Sequence, residues 1–319
     1  MILFHLNIYL LSLLAPLSEK PTPQEIKEIS TSFFSLTKSE LRLKEHSAPK
    51  DLAEAGLGDP IFMVLNGENQ PIGVIKTVSI DDPDARASFE AEYKTLDLIN
   101  HLPLKNFHAI QLRGTSETKS LGIVAEDVAK GSSLNTYLKM ISNSSSIEKR
   151  SQLLHELKMA ITHTANALAE LHNYQSFPYP EQKYLMKYDT DQPPGPFGII
   201  HGDTHPGNIF YDAKSDFLTF IDFGSANLSG EGAPVLQDAA NFLLTFEIFA
   251  SYYRLTPEEI TLLTNSFIAT YQAQIPSATL ESLTFYKNYY IKTFANPENW
   301  DPKFSDQSHF IQTYCYNNL

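Results

Sequence analysis

Hydrophobic positions in the first 130 residues follow both strand and helix periods. The runs at 61–65 (IFMVL) and 72–78 (IGVIKTV) are rich in β-branched residues and flank the turn-forming NGENQP, which predicts a β-hairpin. Apolar runs at about 109–113 and 121–128 are expected to complete a small antiparallel sheet. Helical spacing predicts two helices, one within PTPQEIKEISTSFFSL and one that begins at Pro83. Their expected inward-facing residues are Ile26, Ile29, Phe33 and Phe34 in the first helix and Phe89, Leu96 and Ile99 in the second.

Beyond Gly131 the helical period dominates. Helices are predicted at 133–141 and 147–173, and then at about 234–252, 256–275 and 277–293. The second of these has its apolar stripe at Leu153, Leu157, Ile161, Ala165, Leu168 and Leu171. Residues 174–198, rich in Pro, Tyr and Asp, are expected to form a loop long enough to be functional or mobile. The plan is α+β, with a β-rich lobe over 21–128, a connector near 126–132 and a helical lobe over 129–319.

Composition and charge narrow the class of protein. The chain has 319 residues, 42% of them hydrophobic, which is enough for a large core in one or two lobes. A net charge of −13 disfavours a broad electrostatic surface for nucleic acid or anionic lipid. Cys315 is the one cysteine, which excludes an intrachain disulfide and a cysteine-based metal site. A reducing compartment fits best, and we expect a cytoplasmic protein.

The first 18 residues, MILFHLNIYLLSLLAPLS, are strongly apolar and contain no Lys or Arg. They lack the basic start and the clean cleavage site of a secretory signal, and the run is short for a membrane span. Three interpretations of the apolar leader at 1–20 stay open: a weak signal or anchor, a helix packed on the body, or a misassigned start. Membrane association is therefore left open.

The chemistry is concentrated in HGDTHPGNIFYDAKSDFLTFIDFG, residues 201–224. An H-x-D ends at Asp203, Asn208 follows five residues later, and a D-F-G begins at Asp222. These three elements have the order and offset of the protein-kinase signature. Phosphoryl transfer needs metal ions on the phosphates and a carboxylate near the attacking hydroxyl. Mg²⁺ prefers carboxylate and carbonyl oxygens, so Asp222 with the Asn208 amide oxygen suits it.

The form HGDTHPGN…IDFG resembles the aminoglycoside phosphotransferase and choline kinase-like family. The resemblance implies a bilobed protein-kinase-like fold that uses ATP and Mg²⁺ to phosphorylate a small-molecule hydroxyl. It also implies that Asp203 positions or deprotonates this hydroxyl and that Asn208 and Asp222 hold magnesium. A short hairpin from IFYD to FLTFID would return Asp222 to the loop that bears Asp203.

The family reading requires a Lys on an upstream strand and a Glu on the next helix. Lys76, at the end of VIK, is the candidate for the phosphates, and Glu92 is its expected partner, with Glu90 as the alternative. The Gly-containing GLGDP, with Gly56 and Gly58, is the candidate loop over the phosphates, although the third glycine of a G-x-G-x-x-G is absent.

The stretch IVAEDVAKGSSL is the expected connector between the lobes. Backbone groups near Glu126 and Val128 would hydrogen-bond adenine there. ATP is inferred from the fold, and GTP stays open.

Other residues in and near the motif have predominantly structural interpretations. A metal site at His201 and His205 is disfavoured because Pro206 breaks any helix that would place both on one face. His201 is expected to be a hydrogen-bonding strut of the loop. Asp238 resembles a family position that supports the catalytic loop.

The motif does not select the acceptor. A small-molecule hydroxyl is favoured because the segment at 225–237 is short for docking a peptide. A protein Ser/Thr kinase and a catalytically silent binding module stay as alternatives. Asp189, Asp191 and Glu247 are candidates for binding a cationic acceptor, but such acidic clusters are expected by chance in a chain with this surplus of acids.

Overall fold

A computed structural model describes residues 23–34, 42–46, 61–117, 120–174, 195–226, 233–296 and 306–318. Gly56, Gly58, the apolar leader and most of the 174–198 loop lie outside these ranges. The helices are α1 Pro23–Phe34, α2 Pro83–His101, α3 Leu134–Ser142, α4 Ile147–Tyr174, α5 Leu236–Tyr252, α6 Pro257–Gln272, α7 Leu280–Ala295 and α8 Asp306–Tyr316. The strands are β1 Arg42–His46, β2 Ile61–Leu65, β3 Pro71–Ser79, β4 Leu112–Glu117, β5 Leu121–Glu126, β6 Ser132–Ser133, β7 Phe197–Gly198, β8 Ile209–Asp212, β9 Phe217–Phe220 and β10 Ala233–Pro234.

The amino-terminal lobe is an antiparallel sheet of the order β1-β2-β3-β5-β4 with a helix on each face. Successive residues of a strand point to opposite faces, and β5 shows both. Ile123 and Ala125 join the core that contains Ile26 of α1, whereas Val124 packs with Phe89 of α2. The sheet thus separates two small cores, and the one beneath α2 borders Lys76 on the neighbouring strand, which pairs with Val124.

The carboxy-terminal lobe is helical and contains the main core. Helix α5 is buried on nearly all sides, and its buried residues include the polar Gln237, Asp238 and Asn241. It contacts α6 and α7, and α6 also packs on α4. The six stripe residues predicted for α4 are all buried. Cys315 on α8 is also buried, against Leu244 and Tyr290 among others.

A small sheet of β6, β8 and β9 carries the central motif and is attached to both lobes. Backbone hydrogen bonds join Phe220 of β9 to His108 and Ile110, in the segment after α2. Glu170 of α4 accepts hydrogen bonds from the backbone N–H groups of residues 105–107 at 2.8, 2.6 and 3.0 Å. The segment that follows α2 is therefore fixed to the large lobe.

The predicted bilobed α+β fold is confirmed, and the predicted helices and both hairpins are present. One predicted strand is displaced, because the run at 109–113 corresponds to β4 at Leu112–Glu117, and Ala109 instead forms an isolated bridge to Phe220. Strand β1 and helix α8 were not predicted. Within the described ranges, no helix combines the length and apolar character needed to cross a membrane.

Candidate functional site

The loop that carries Asp203 is held in place by hydrogen bonds to Asp238, in the first turn of α5. The Asp238 carboxylate accepts hydrogen bonds from the backbone N–H groups of His201 at 2.7 Å and Gly202 at 2.9 Å. The Thr204 hydroxyl donates to the Asp238 carbonyl oxygen at 2.6 Å. Asp238 is 1% exposed, so these bonds are shielded from water. The expected structural role of Asp238 is confirmed.

His201 links this loop to the segment that carries Asp222. Its Nε2 lies 2.9 Å from the Ile221 carbonyl oxygen, and its Nδ1 accepts a hydrogen bond from the Asp203 backbone N–H at 3.2 Å. These partners place the proton on Nε2 of a neutral ring. Burial lowers the pKa of His201, which favours the same state. The predicted strut is confirmed.

Gly202 provides a backbone turn that other residues would not adopt without strain. Its φ is +88°, and a Cβ atom at this position would lie 2.0 Å from the Ser225 carbonyl oxygen. The loop and the segment after Asp222 therefore approach each other closely only because residue 202 is glycine.

Asp203 has one carboxylate oxygen engaged and one unpaired. The Asn208 amide nitrogen donates to the Asp203 backbone carbonyl at 3.1 Å and to Oδ2 at 3.3 Å. His205 Nε2 is 3.7 Å from the same Oδ2. Oδ1 is buried and has no hydrogen-bond partner in the described ranges. A buried acceptor without a partner is costly, and this oxygen is suited to accept a hydrogen bond from a ligand.

The hairpin of β8 and β9 brings Asp222 next to Asn208. The Ile221 backbone N–H donates to the Asn208 carbonyl oxygen at 3.0 Å. Asp222 has a φ of +67°, a left-handed backbone conformation that Asp adopts more readily than most residues with a side chain. The following Phe223 is fully buried, with its ring centroid 4.4 Å from that of His201.

Asn208 and Asp222 fit a magnesium site only in combination with a phosphate ligand. The Asn208 amide nitrogen faces Asp203, which leaves its amide oxygen as an acceptor. Asp222 adds a carboxylate, and both are the hard oxygen donors that Mg²⁺ takes. Within the part of the chain that the structure describes, no group of three or more His, Cys, Asp or Glu side chains could hold a metal ion. This donor set suits Mg²⁺, which usually binds through one or two protein oxygens, phosphates and water.

The small lobe presents Lys76 to the site. Its Nζ contacts Glu92 Oε1 of α2, and the two side chains are 15% and 6% exposed. Glu90, the alternative partner, is exposed and pairs with Lys94 at 2.5 Å. The structure thus pairs Lys76 with the preferred candidate. In addition, the Ser88 hydroxyl of α2 donates to the Gly224 carbonyl oxygen at 3.2 Å, which ties this helix to the DFG segment.

Glu126 has a position that the sequence reasoning missed. Its backbone was the expected adenine contact, but its side chain is buried with Oε2 at 3.3 Å from Lys76 Nζ. Its backbone lies within the sheet, paired with Val74 and Leu112. Val124 and Glu126 share one face of β5, and Val124 pairs with Lys76, so only the register of β3 and β5 could have revealed this contact.

Neighbouring charges set the protonation of Lys76 and Glu126. Burial alone would lower the pKa of Lys76, but Glu126, Glu92 and Asp222 together raise it above its usual range. Lys76 is therefore a fixed cation. Burial raises the pKa of Glu126. The charge of Lys76 acts to lower this pKa, whereas the charges of Glu92 and Asp222 raise it further.

A cavity of about 500 Å³ borders the connector between the lobes. Asp127, Val128 and Lys130 line it, together with Phe217 and Thr219 of the hairpin. Its lining includes Val128 but neither Asp203 nor Lys76. Val128, the second expected adenine contact, is half-buried at its edge.

Comparisons with known proteins give a match to a phosphotransferase family over part of the chain. Residues 148–254 match the phosphotransferase enzyme family (APH), a stretch that contains all but the first residue of α4, the Asp203 loop, the DFG segment and α5. A double mutant of the Mycobacterium tuberculosis PknI kinase domain is similar in structure, with a TM-score of 0.42 and 14% identity over 80% of this chain and 96% of that chain. No curated protein sequence gives a significant match to the chain. The expected resemblance to a phosphotransferase family is confirmed over the matched stretch.

Proposed function

We propose that this phosphotransferase-like protein transfers the γ-phosphoryl group of ATP, in the presence of Mg²⁺, to a hydroxyl group of a small molecule. The observation that carries the proposal is the buried Oδ1 of Asp203, which has no hydrogen-bond partner among the residues that the structure describes and lies on a loop fixed beside Asn208. Family similarity over 148–254 supports the phosphotransferase class. The nucleotide, the metal and the type of acceptor are our inference from the residues.

Each side chain has a distinct task in this reaction. Asp203 accepts a hydrogen bond from the attacking hydroxyl through Oδ1 and takes its proton as the new O–P bond forms. Lys76, oriented by Glu92, binds the phosphates that become the leaving group. Asn208 and Asp222 would hold magnesium, which when bound would offset the charge of the phosphates.

Two observations support a small, uncharged acceptor over a peptide or a cation. Only the residues from Ser225 to Val235 separate the DFG motif from α5, which is little chain for a peptide-docking segment. Glu247, a candidate for binding a cationic acceptor, is ion-paired with Lys287 at 2.7 and 2.8 Å. Its charge is therefore already compensated. Asp189 and Asp191 lie outside the described residues.

The test is transfer of phosphate to fractionated cell extract. The purified full chain, with Mg·ATP, is incubated separately with metabolite and protein fractions, and phosphorylated products are detected by mass spectrometry. Asp203→Asn keeps the size of the side chain and should lower the rate about 10²- to 10⁴-fold, with ATP affinity nearly unchanged. Asp97→Asn, at an exposed position of α2, is the matched control and should retain full activity.

The outcomes separate the competing functions. A metabolite phosphorylated by the wild type and the control but not by Asp203→Asn supports the proposal and identifies the acceptor. Transfer only to the protein fraction would indicate a protein kinase. Binding of ATP without transfer to either fraction would indicate a catalytically silent module, and full activity of Asp203→Asn would exclude the assigned role of Asp203.

A further inference from the structure

Lys76 is held by carboxylates from two different elements. Glu92 reaches it from α2, and Glu126 reaches it from the end of β5 at 3.3 Å. The side chains of Glu92 and Glu126 are 6% and 3% exposed. Carboxylates from a helix and from a strand thus contact a single ammonium group and hold Lys76 in place.

Three acidic side chains act on this ammonium group. Glu126, Glu92 and Asp222 each raise the pKa of Lys76. When Glu126 is ionised, its charge adds to theirs at a buried place, where charges are costly. A nucleotide phosphate that binds Lys76 would add further negative charge at the same place.

Glu126 is the less completely satisfied of the two direct partners. Its Oε1 is buried and has no hydrogen-bond partner in the described part of the chain, although its Oε2 contacts Lys76. The backbone of Glu126 is paired with a neighbouring strand on each side. A phosphate at Lys76 would therefore approach a carboxylate whose backbone is held within the sheet.

We propose that Glu126 is a positioning residue that orients Lys76 and at the same time limits nucleotide affinity, because its negative charge opposes the phosphates that Lys76 binds. This inference rests on the proposed function and adds the residue that sets the strength of nucleotide binding. It assigns to the Glu126 side chain a role that is independent of any backbone contact to adenine.

The proposal has a pH signature. Burial raises the pKa of Glu126 above its usual value, so this group gains its charge only as the solution becomes alkaline. Lys76 keeps its proton throughout, because its pKa is raised beyond its usual range. The other charges that act on Glu126 are those of Glu92 and Asp222. Nucleotide affinity should therefore fall as pH rises from 7 to 9.

The experiment is calorimetric titration of the full chain with Mg·ATP and with adenosine at pH 7 and pH 9. In the wild type, the Kd for Mg·ATP should rise about fivefold to tenfold over this range, whereas the Kd for adenosine, which has no phosphate, should stay constant. Glu126→Gln keeps an oxygen for Lys76 and removes the charge. It should abolish the rise and bind Mg·ATP about fivefold to tenfold more tightly than the wild type at pH 9.

The control is Glu117→Gln on β4, which removes an exposed carboxylate that pairs with Arg86 of α2 at 2.6 Å. It should follow the wild-type pH profile. If Glu126→Gln keeps the wild-type profile or binds Mg·ATP more weakly at pH 9, the inference is wrong and the proposed function stands. If the variant does not fold, the wild type alone tests the inference. A Kd for Mg·ATP that does not rise relative to the Kd for adenosine between pH 7 and pH 9 would then overturn it. Absence of any binding to the wild type would instead remove the proposed function together with this inference.

Discussion

The two ends of the candidate site hold their charged groups by different physical means. At Asp203, the loop is fixed by directional hydrogen bonds from backbone groups to Asp238 and His201. At Lys76, the side chain is fixed by ions on separate elements. A hydrogen bond to the backbone depends on geometry and is lost when its acceptor is removed. When one of several charges around Lys76 is removed, the remaining charges still stabilise the ammonium group. We therefore expect the loop to be intolerant of substitution and the lysine end to be adjustable.

Removal of Asp238 should have the largest effect on stability. Asp238→Ala leaves two buried backbone N–H groups and His172 without their acceptor, which should lower the free energy of unfolding by about 3–5 kcal/mol. Urea unfolding measures this change. Asp97→Ala, at an exposed position, should change it by less than about 0.5 kcal/mol. A loss at Asp238 no larger than that at Asp97 would show that the loop is held by other contacts.

A side chain at Gly202 should be the next most damaging change. Gly202→Ala places a Cβ atom against the Ser225 carbonyl oxygen at a positive φ and should cost about 2–4 kcal/mol of stability, with loss of transfer activity. Gly67→Ala is the matched control, because nothing lies within 4 Å of its new Cβ atom. Thermal unfolding of the two variants tests this, and equal midpoints would contradict it.

Removal of one charge at the lysine end should have a smaller effect. In Glu92→Gln, Lys76 retains Glu126, so kcat/KM should fall only about tenfold, and the free energy of unfolding should change by less than about 1 kcal/mol. Steady-state kinetics measures the first and urea unfolding the second. The exposed Glu90→Gln should be indistinguishable from the wild type. A loss of activity above about a thousandfold would mean that Glu126 does not compensate.

The smallest expected effect is a mild acid sensitivity of the loop. His201 has a lowered pKa in the folded state, so the unfolded chain binds the proton more readily below the ordinary value of 6.5. The stability that this group contributes is complete above pH 6.5 and is lost as pH falls towards the folded pKa. We expect the free energy of unfolding to decline as pH falls below 6.5, and His201→Gln should reduce this decline. Parallel urea titrations at several pH values measure both, and identical slopes would contradict the role of His201.

Periodicity and turn chemistry predicted the helices and hairpins, because apolar spacing in α4 and β-branched runs in β2 and β3 are local signals. The order of the H-x-D, Asn and DFG elements likewise predicted that Asp203, Asn208 and Asp222 belong to one site. The contact between Glu126 and Lys76 could not be predicted, because it depends on the register of two strands far apart in sequence. Strand β1 is a charged edge strand (RLKEH) without an apolar alternation, and so it gave no usable pattern.

The attachment of the segment after α2 to the large lobe has a mechanical consequence. Glu170 and Phe220 make the carboxy-terminal end of α2 a pivot, whereas Ser88 lies about 20 Å away near the other end of the helix. A tilt of about 5° around that pivot would displace Ser88 by roughly 2 Å, enough to break its 3.2 Å hydrogen bond to Gly224. Glu92 lies on the same helix between the pivot and Ser88. A tilt of α2 would therefore lengthen the contact between Glu92 and Lys76 and break the contact between Ser88 and Gly224 at the same time.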